Sequence, residues 1–291
     1  MRELLRKIEK ELALIQDKKQ RIAQAERLKE LWEKYDGDDK IISSEDLKEE
    51  IAAEKQKDHL EIMTRIPKLD QILEGFREGN LVVVSAPAKN GKTTLLQTFT
   101  IEFQKQDHNC LWFSYEVPMY EFIEKFGDNL PNFYLPKHLK GNTTNWLEER
   151  IVEAIAKYNI QVVFIDHLHY IVDMTARNQN MSLQIGATMR ELKKIALRYN
   201  IVIFIVAHMK HIRLAGTPDL EDIRDSSFIG QEADIVLMMK RNEDVNNECY
   251  FDTAELWVRA HRRTGKTGVV NLIHKNRRFE QIYEYTEQDN N

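Results

Sequence analysis

Residues Ser85 to Thr94 read SAPAKNGKTT and follow directly on the apolar run Leu81–Val84. A strand, a short loop ending Gly-Lys-Ser/Thr and a helix together wrap backbone N–H groups around phosphate oxygens at a helix N-terminus. The full pattern has glycine where Ala86 stands, while Gly91, Lys92 and Thr93 keep the rest. The candidate cradle is therefore Ala86, Pro87, Ala88, Lys89, Asn90, Gly91, Lys92, Thr93 and Thr94. In that chemistry Lys92 neutralises the β- and γ-phosphates, Gly91 lets the backbone approach them, and the Thr93 hydroxyl ligates Mg²⁺.

Further along, FSYEVP places Glu116 at the end of an apolar run, and VVFIDHLHY places Asp166 after another. Both acids are expected at the carboxyl ends of strands, with Glu116 on a strand next to the phosphate loop, in the crevice where open α/β sheets bind ligands. A carboxylate at Glu116 would orient or deprotonate an attacking water, and Asp166 has the form of the acid that holds Mg²⁺. Each alone is an ordinary strand-end acid; the order of loop, acid and acid gives the set its meaning. His208, in IVAHMKH, sits where a polar group would hydrogen-bond a γ-phosphate. DIRDSSFIGQEAD, from Asp222 to Asp234, reads as a polar loop carrying Arg224.

The elements that must position these residues are legible from Thr64 onward. Strand-length apolar runs at Leu81–Ser85, Cys110–Tyr115, Gln161–Ile165, Ile201–Val206, Asp234–Met239, Ala254–Arg259 and Gly268–Ile273 alternate, early on, with helical patterns at Lys92–Phe103, Asn145–Tyr158 and Leu183–Tyr199. That alternation predicts an α/β fold, a mostly parallel sheet flanked by helices, and the short connections near its end predict antiparallel hairpins. Before it, Leu5, Ile8, Leu12, Ile15 and Ile22 mark one amphipathic helix, packed on its own domain or on a neighbouring copy. DGDD at Asp36 to Asp39 breaks that helix. Ser43 with Asp46 resembles a capping box that starts a second helix running through Ala53 towards Leu60. The expected division is a helical segment over 1–60, a phosphate-loop domain over 61–284 and a disordered polar tail over 285–291.

At 291 residues the chain has room for one domain of roughly 220 residues and a small appendage. It lacks an 18-residue apolar run, and its first residues carry acids, so neither a membrane span nor a signal peptide is expected and the location is cytoplasmic. Cys110 and Cys249 have no metal or disulfide spacing and are read as buried thiols. A net charge of −5 argues against coating nucleic acid through overall charge. Arg259 to Arg278 nevertheless holds seven Lys/Arg, two His and no acid. This run is either a solvated hairpin face or a surface for phosphates.

Taken in order, these motifs resemble the RecA-like motor domain of the DnaB family of replicative hexameric helicases and of the helicase half of phage primase-helicases. FSYEVP resembles that family's FSLEMP segment, IDHL its second nucleotide motif, AHMK its sensor motif, DIRDSSFIGQEAD its DLRxSGxIxQxAD loop, and AHRRTGKTG its final motif with the arginine finger. Ala86 is similar too, since the family often opens its phosphate loop with alanine. The resemblance covers Thr64 to Tyr283. It implies a homo-oligomer, a ring of six, with ATP and Mg²⁺ at each interface and a finger from the neighbour, Arg262 or its close rival Arg263. A helper basic residue is expected at Ala260, beside Arg259. Two central loops would bind single-stranded DNA, Asp173 to Met181 with Arg177 and Asn178, and Arg224 to Gly230 with Ser226, Ser227 and Gly230. Ser227 stands where the family has glycine. Both loops are modest in charge, which implies a shallow salt dependence per subunit.

The resemblance implies an ATP-driven 5′ to 3′ DNA helicase in replication, working with a primase, polymerase or loader and no membrane. A primase half and a full N-terminal collar are not expected, the second N-terminal helix serving as the linker to the next subunit. Two alternatives stay open: a RecA-class ATPase that does not unwind, such as a recombination mediator or switch, and a nucleotide-gated scaffold or loader.

Overall fold

The computed structural model describes residues 6, 10, 18–33, 40–54, 61–172, 181–209, 216–223, 226–244 and 249–283. The chain divides into two compact units, Met1–Asp58 and His59–Asn291. In the first, helices α1 (Lys18–Glu33) and α2 (Ser44–Glu54) are described. Ser43 caps α2: its Oγ accepts the Asp46 N–H at 3.1 Å and donates to the Asp46 carboxylate at 2.6 Å. Leu5, Ile8, Leu12, Ile15, the Asp36–Asp39 break, Leu60 and the 285–291 tail lie outside the described residues.

The second unit opens with a small antiparallel pair, β1 (Glu61–Ile62) and β2 (Phe76–Arg77), bracketing α3 (Pro67–Leu73). Then come β3 (Leu81–Ala86), α4 (Lys92–Gln104), β4 (Asn109–Ser114), α5 (Met119–Glu124), α6 (Thr144–Tyr158), β5 (Ile160–Asp166), α7 (Met181–Arg198), β6 (Val202–His208) and α8 (Ser226–Glu232). The chain ends in β7 (Ile235–Asp244), β8 (Cys249–His261), β9 (Gly268–Lys275) and β10 (Arg278–Gln281). One sheet takes eight strands in the order β10-β9-β8-β7-β3-β6-β5-β4. β7, β3, β6, β5 and β4 are parallel, and β8, β9 and β10 add as antiparallel hairpins.

The parallel strands are apolar on both faces because helices cover both. Val82, Val84, Trp112, Phe164 and Phe204 face α3 and α4, whose Leu69, Leu73, Leu95 and Phe99 share their core. Val83, Phe113, Val163, Ile165 and Ile205 face α6 and α7, meeting Leu147, Ile151, Ile185 and Met189. Phe76, Phe99, Phe103, Phe164 and Phe204 pack ring to ring with centroids 4.8–6.3 Å apart. Each such buried ring contributes roughly 1.5–3 kcal/mol, so this cluster anchors the floor under the phosphate loop.

Three sequence expectations change. β4 is not next to β3 but at the sheet's edge, with β5 and β6 between them, because the chain crosses to the far side before filling inward. Its outer side is covered: Trp112 N donates to the Tyr134 carbonyl and Tyr134 N to the Cys110 carbonyl, both at 2.8 Å. The segment read as a polar loop contains α8, since Ile229 buries completely and Phe228 packs on Gly186, where a Cβ would lie 2.7 Å from Phe228 Cδ1. β10 was not anticipated; it is four residues long and begins at Arg278, where the basic run ends. Cys110 is buried, and burial pushes its thiol well above the usual range; the Cys249 side chain lies outside the described residues.

Candidate active site

Ala86 ends β3 in register with His208 of β6 and is absent from the residues with positive φ. Its backbone is ordinary extended chain, which explains why a methyl replaces hydrogen at the first glycine of the motif. Pro87 is buried, and Ala88 and Lys89 form the exposed tip of the loop. Left-handed turns follow at Lys89 (φ 61°) and Gly91 (φ 91°). Gly91 is needed twice over: its φ disfavours a side chain, and a Cβ would lie 3.0 Å from Phe279 Cζ and 3.1 Å from Met239 Cε. Asn90 pins the loop to β7, its Oδ1 accepting the Arg241 N–H at 2.8 Å and its Nδ2 donating to the Ala88 carbonyl at 3.1 Å.

Lys92 opens α4 and is buried, its Nζ donating to the carbonyls of Ala86 (3.1 Å) and Pro87 (3.0 Å). Burial pulls its ammonium below the ordinary lysine range, while the charges of Asp166 and Glu116 hold it up. Thr93 Oγ donates to Asp166 Oδ2 at 2.7 Å, joining the loop to the end of β5. Thr94 follows in the first turn, its carbonyl accepting the Thr98 hydroxyl at 2.9 Å. Asp166 is 1% exposed and its Oδ1 has no hydrogen-bond partner among the described residues. Burial raises its carboxyl to about 6, helped by the Glu116 charge and opposed by the Thr93 hydrogen bond and the Lys92 charge. An orphaned, buried carboxylate oxygen beside a threonine hydroxyl is a hard, oxygen-only donor set, and it fits Mg²⁺.

Glu116 reaches this place from the edge strand because the chain folds back over the end of β5, Tyr115 N donating to the Asp166 carbonyl at 2.8 Å. Tyr115 is fixed by its hydroxyl on the Gly141 carbonyl at 3.0 Å and by stacking on Tyr170. The Glu116 side chain is exposed. One carboxylate oxygen of Glu116 and one nitrogen each of His167 and His208 lie within 4.8 Å of one another. The rings of His167 and His208 sit 4.1 Å apart, and His169 is 5.5 Å from His167. Burial first, then His208, His169 and Lys92, push the His167 pKa down to about 3, so that imidazole is neutral at physiological pH. Sequence reasoning singled out His208 and passed over His167 and His169, although IDHLHY announced both.

The two arginines of AHRRTGKTG sit in the turn between β8 and β9, outside this cluster. Arg263 is committed to the C-terminus of α3, its Nη2 donating to the Leu73 carbonyl at 2.8 Å and its Nη1 to Glu74 at 3.1 Å. Lys266 also pairs with Glu74, at 2.5 Å, and this hydrogen bond lowers the carboxyl of Glu74. Arg262 keeps 52% of its side chain in solvent; it donates to the Gln231 carbonyl and lies 3.6 Å from Asp234. Arg259, beside Ala260, donates to the Pro218 carbonyl at 2.5 Å. Asp234, which sequence reasoning did not select, ties the region together, accepting from Lys193 at 2.6 Å and from Leu81 N at 2.8 Å. The AD that ends its motif was the available signal.

Of the residues expected to touch DNA, Arg177, Asn178 and Arg224 lie outside the described residues. Ser226 and Ser227 begin α8, and Gly230 lies within it.

The family described as DnaB-like helicase C terminal domain matches residues 128–281, more than half of the chain, and the KaiC ATPase family matches residues 62–133. The replicative DNA helicase DnaB of Mycoplasma pneumoniae is 30% identical over 220 residues, covering 62% of this chain and 46% of that protein. The replicative DNA helicase DnaC of Bacillus subtilis is 23% identical over 72% of this chain and 54% of its own length. The chain thus spans about half the length of the curated relatives it matches. Among solved structures, an ATPase domain superposes with a TM-score of 0.69 at 20% identity, covering 82% of this chain and 96% of that one. A DnaB-like replicative helicase described with its primase interactions gives 0.67, also at 20% identity, over 85% and 69%. These superpositions place the sheet and its helices in the RecA-like fold of such helicases. With that family model matching more than half of the chain, the chain belongs to the DnaB-like helicase C-terminal domain family.

Proposed function

We propose that this chain is an ATP-driven motor that assembles as a ring, moves 5′ to 3′ on single-stranded DNA and unwinds duplex at a replication fork. The observation that carries the reading is the meeting of Lys92, Thr93, Asp166 and Glu116 at the ends of three strands, within a chain of this family. Lys92 gives up its loop carbonyls for the phosphate oxygens of ATP. Thr93 and Asp166 would hold Mg²⁺, which when bound offsets charge on the β- and γ-phosphates. Glu116 positions and deprotonates the attacking water, and His208 reads the γ-phosphate. Arg262, the more exposed of its pair, is the finger offered to a neighbour's nucleotide. Residues 173–181 and 224–230 contact the DNA backbone, α2 docks on the next subunit, and the ring works in the cytoplasm with a primase, polymerase or loader.

The test is a forked duplex with ATP and Mg²⁺, run with either tail polarity and with Glu116→Gln. Unwinding that needs a 5′ tail and disappears in the variant is the expected result. Hydrolysis without unwinding would favour the second reading, a RecA-class ATPase acting as a switch, which the KaiC match over 62–133 supports. ATP-dependent assembly together with a function that Glu116→Gln does not impair would instead favour a scaffold or loader. Light scattering of a chain lacking residues 1–58 tests the linker: an unchanged ring would remove that role.

A further inference from the structure

Two donor sets of different chemistry lie side by side at the ends of the central strands. Thr93 and Asp166 offer oxygen only. Glu116, His167 and His208 offer one carboxylate oxygen and two imidazole nitrogens, all within 4.8 Å. Hard Mg²⁺ prefers the first set, while mixed nitrogen and oxygen donors suit zinc and its neighbours in the first transition row. We propose that Glu116, His167 and His208 form a second cation site, for Zn²⁺ or Co²⁺, and that its occupancy brakes the motor by taking Glu116 as a ligand.

The geometry is half built. His167 and His208 stand at the ends of adjacent strands β5 and β6, with rings 4.1 Å apart, so the sheet fixes the two nitrogen donors. Glu116 lies on the segment after β4 with its side chain exposed, and it can supply most of the closure. Bonds of about 2.0–2.2 Å place tetrahedral ligands about 3.3 Å apart, so no gap need shrink by more than about 1.5 Å. His167 Nδ1 also accepts the His169 N–H at a long 3.3 Å. Metal uptake displaces that contact or switches the ring's tautomer. Three protein ligands with one open position is the form zinc takes where solvent reaches it. The brake rests on the reading of Glu116 as the base; the cation site does not.

Cobalt(II) alone, titrated into the full, untagged chain without nucleotide or Mg²⁺, tests the site. The expected result is the visible ligand-field bands of low-coordinate cobalt, saturating at one equivalent and bleached by Zn²⁺. Affinity should fall tenfold or more in His167→Asn and in Glu116→Gln. Equal uptake by all three chains, or only the pale spectrum of six-coordinate cobalt, overturns the site. His208→Asn must show the same loss, and it replaces His167→Asn if circular dichroism finds that variant unfolded. For the brake, Zn²⁺ should slow Mg²⁺-dependent ATP hydrolysis, with His167→Asn needing at least tenfold more zinc. Zinc that binds without slowing hydrolysis overturns the brake. A chain that hydrolyses no ATP before zinc is added overturns the motor reading and the brake together, while the cobalt bands still decide the site.

Discussion

Lys92 and Arg262 are both cations donating to backbone carbonyls, yet the first is buried inside its own loop and the second stands half in solvent on a hairpin turn. Around Lys92 the sheet supplies nearly everything: two carboxylates, a threonine hydroxyl and a glycine that its φ and Phe279 require. Around Arg262 the chain supplies a support, Asp234, itself held by Lys193 and β3, and among the described residues the guanidinium meets that carboxylate and the Gln231 carbonyl. A group that works within the chain is shielded and pre-paired. Arg262, on the proposed reading the group offered to a neighbour, is stiffened at its base and left reachable at its tip.

The largest effect that could break this contrast is loss of the proposed finger. Arg262→Ala is expected to lower ATP turnover by about 10³-fold or more while leaving nucleotide affinity alone, and mixed rings with Lys92→Ala chains should regain part of the activity. If Arg263→Ala causes the loss instead, the assignment is reversed. Glu116→Gln comes next: kcat should fall by about 10² to 10⁴ with little change in KM, measured under saturating Mg²⁺.

Asp166→Asn sharpens the buried side of the comparison. With its native carboxyl raised to about 6, above the 3.8 of an ordinary aspartate, the folded chain holds this proton more tightly than the unfolded one. Its stabilising contribution is therefore present below about pH 4 and lost as pH rises through about 6. At pH 8, without metal or nucleotide, Asp166→Asn should raise stability by up to about 3 kcal/mol, and the gain should vanish at pH 4. Calorimetry across that range checks it, and Mg²⁺ with nucleotide should stabilise the natural chain more than the variant. The smallest effect belongs to Arg263→Ala. Loss of its bond to the Leu73 carbonyl should cost about 1 kcal/mol in a denaturant titration, with turnover within a few-fold of the natural chain.

Much of the buried half was legible from the sequence. Apolar runs bounded by SAPAKNGKTT and IDH mark β3 and β5 to within a residue, because strands covered on both faces leave an uninterrupted apolar signature. The edge position of β4 was not legible, since strand order depends on which crossover packs where and not on any local pattern. α8 was hidden because Ser226 and Ser227 read as turn residues, and its burial depends on Gly186 far away in sequence. β10 was hard to read because it is four residues long, RFEQ, and begins at Arg278, where the basic run ends, its alternation obscured by charges that pair with Glu102 and within the strand. The histidine pair at His167 and His208 needed the register of β5 on β6, which no spacing along the chain encodes.

The tie between Tyr134 and the outer side of β4 bears on how copies of this chain meet. An uncovered edge strand invites a second copy to add its own, and that kind of growth has no closing geometry. Here the Trp112 amide and the Cys110 carbonyl are already spent on Tyr134, so along this margin the fold discourages open-ended sheet polymers and leaves association to loops and helices.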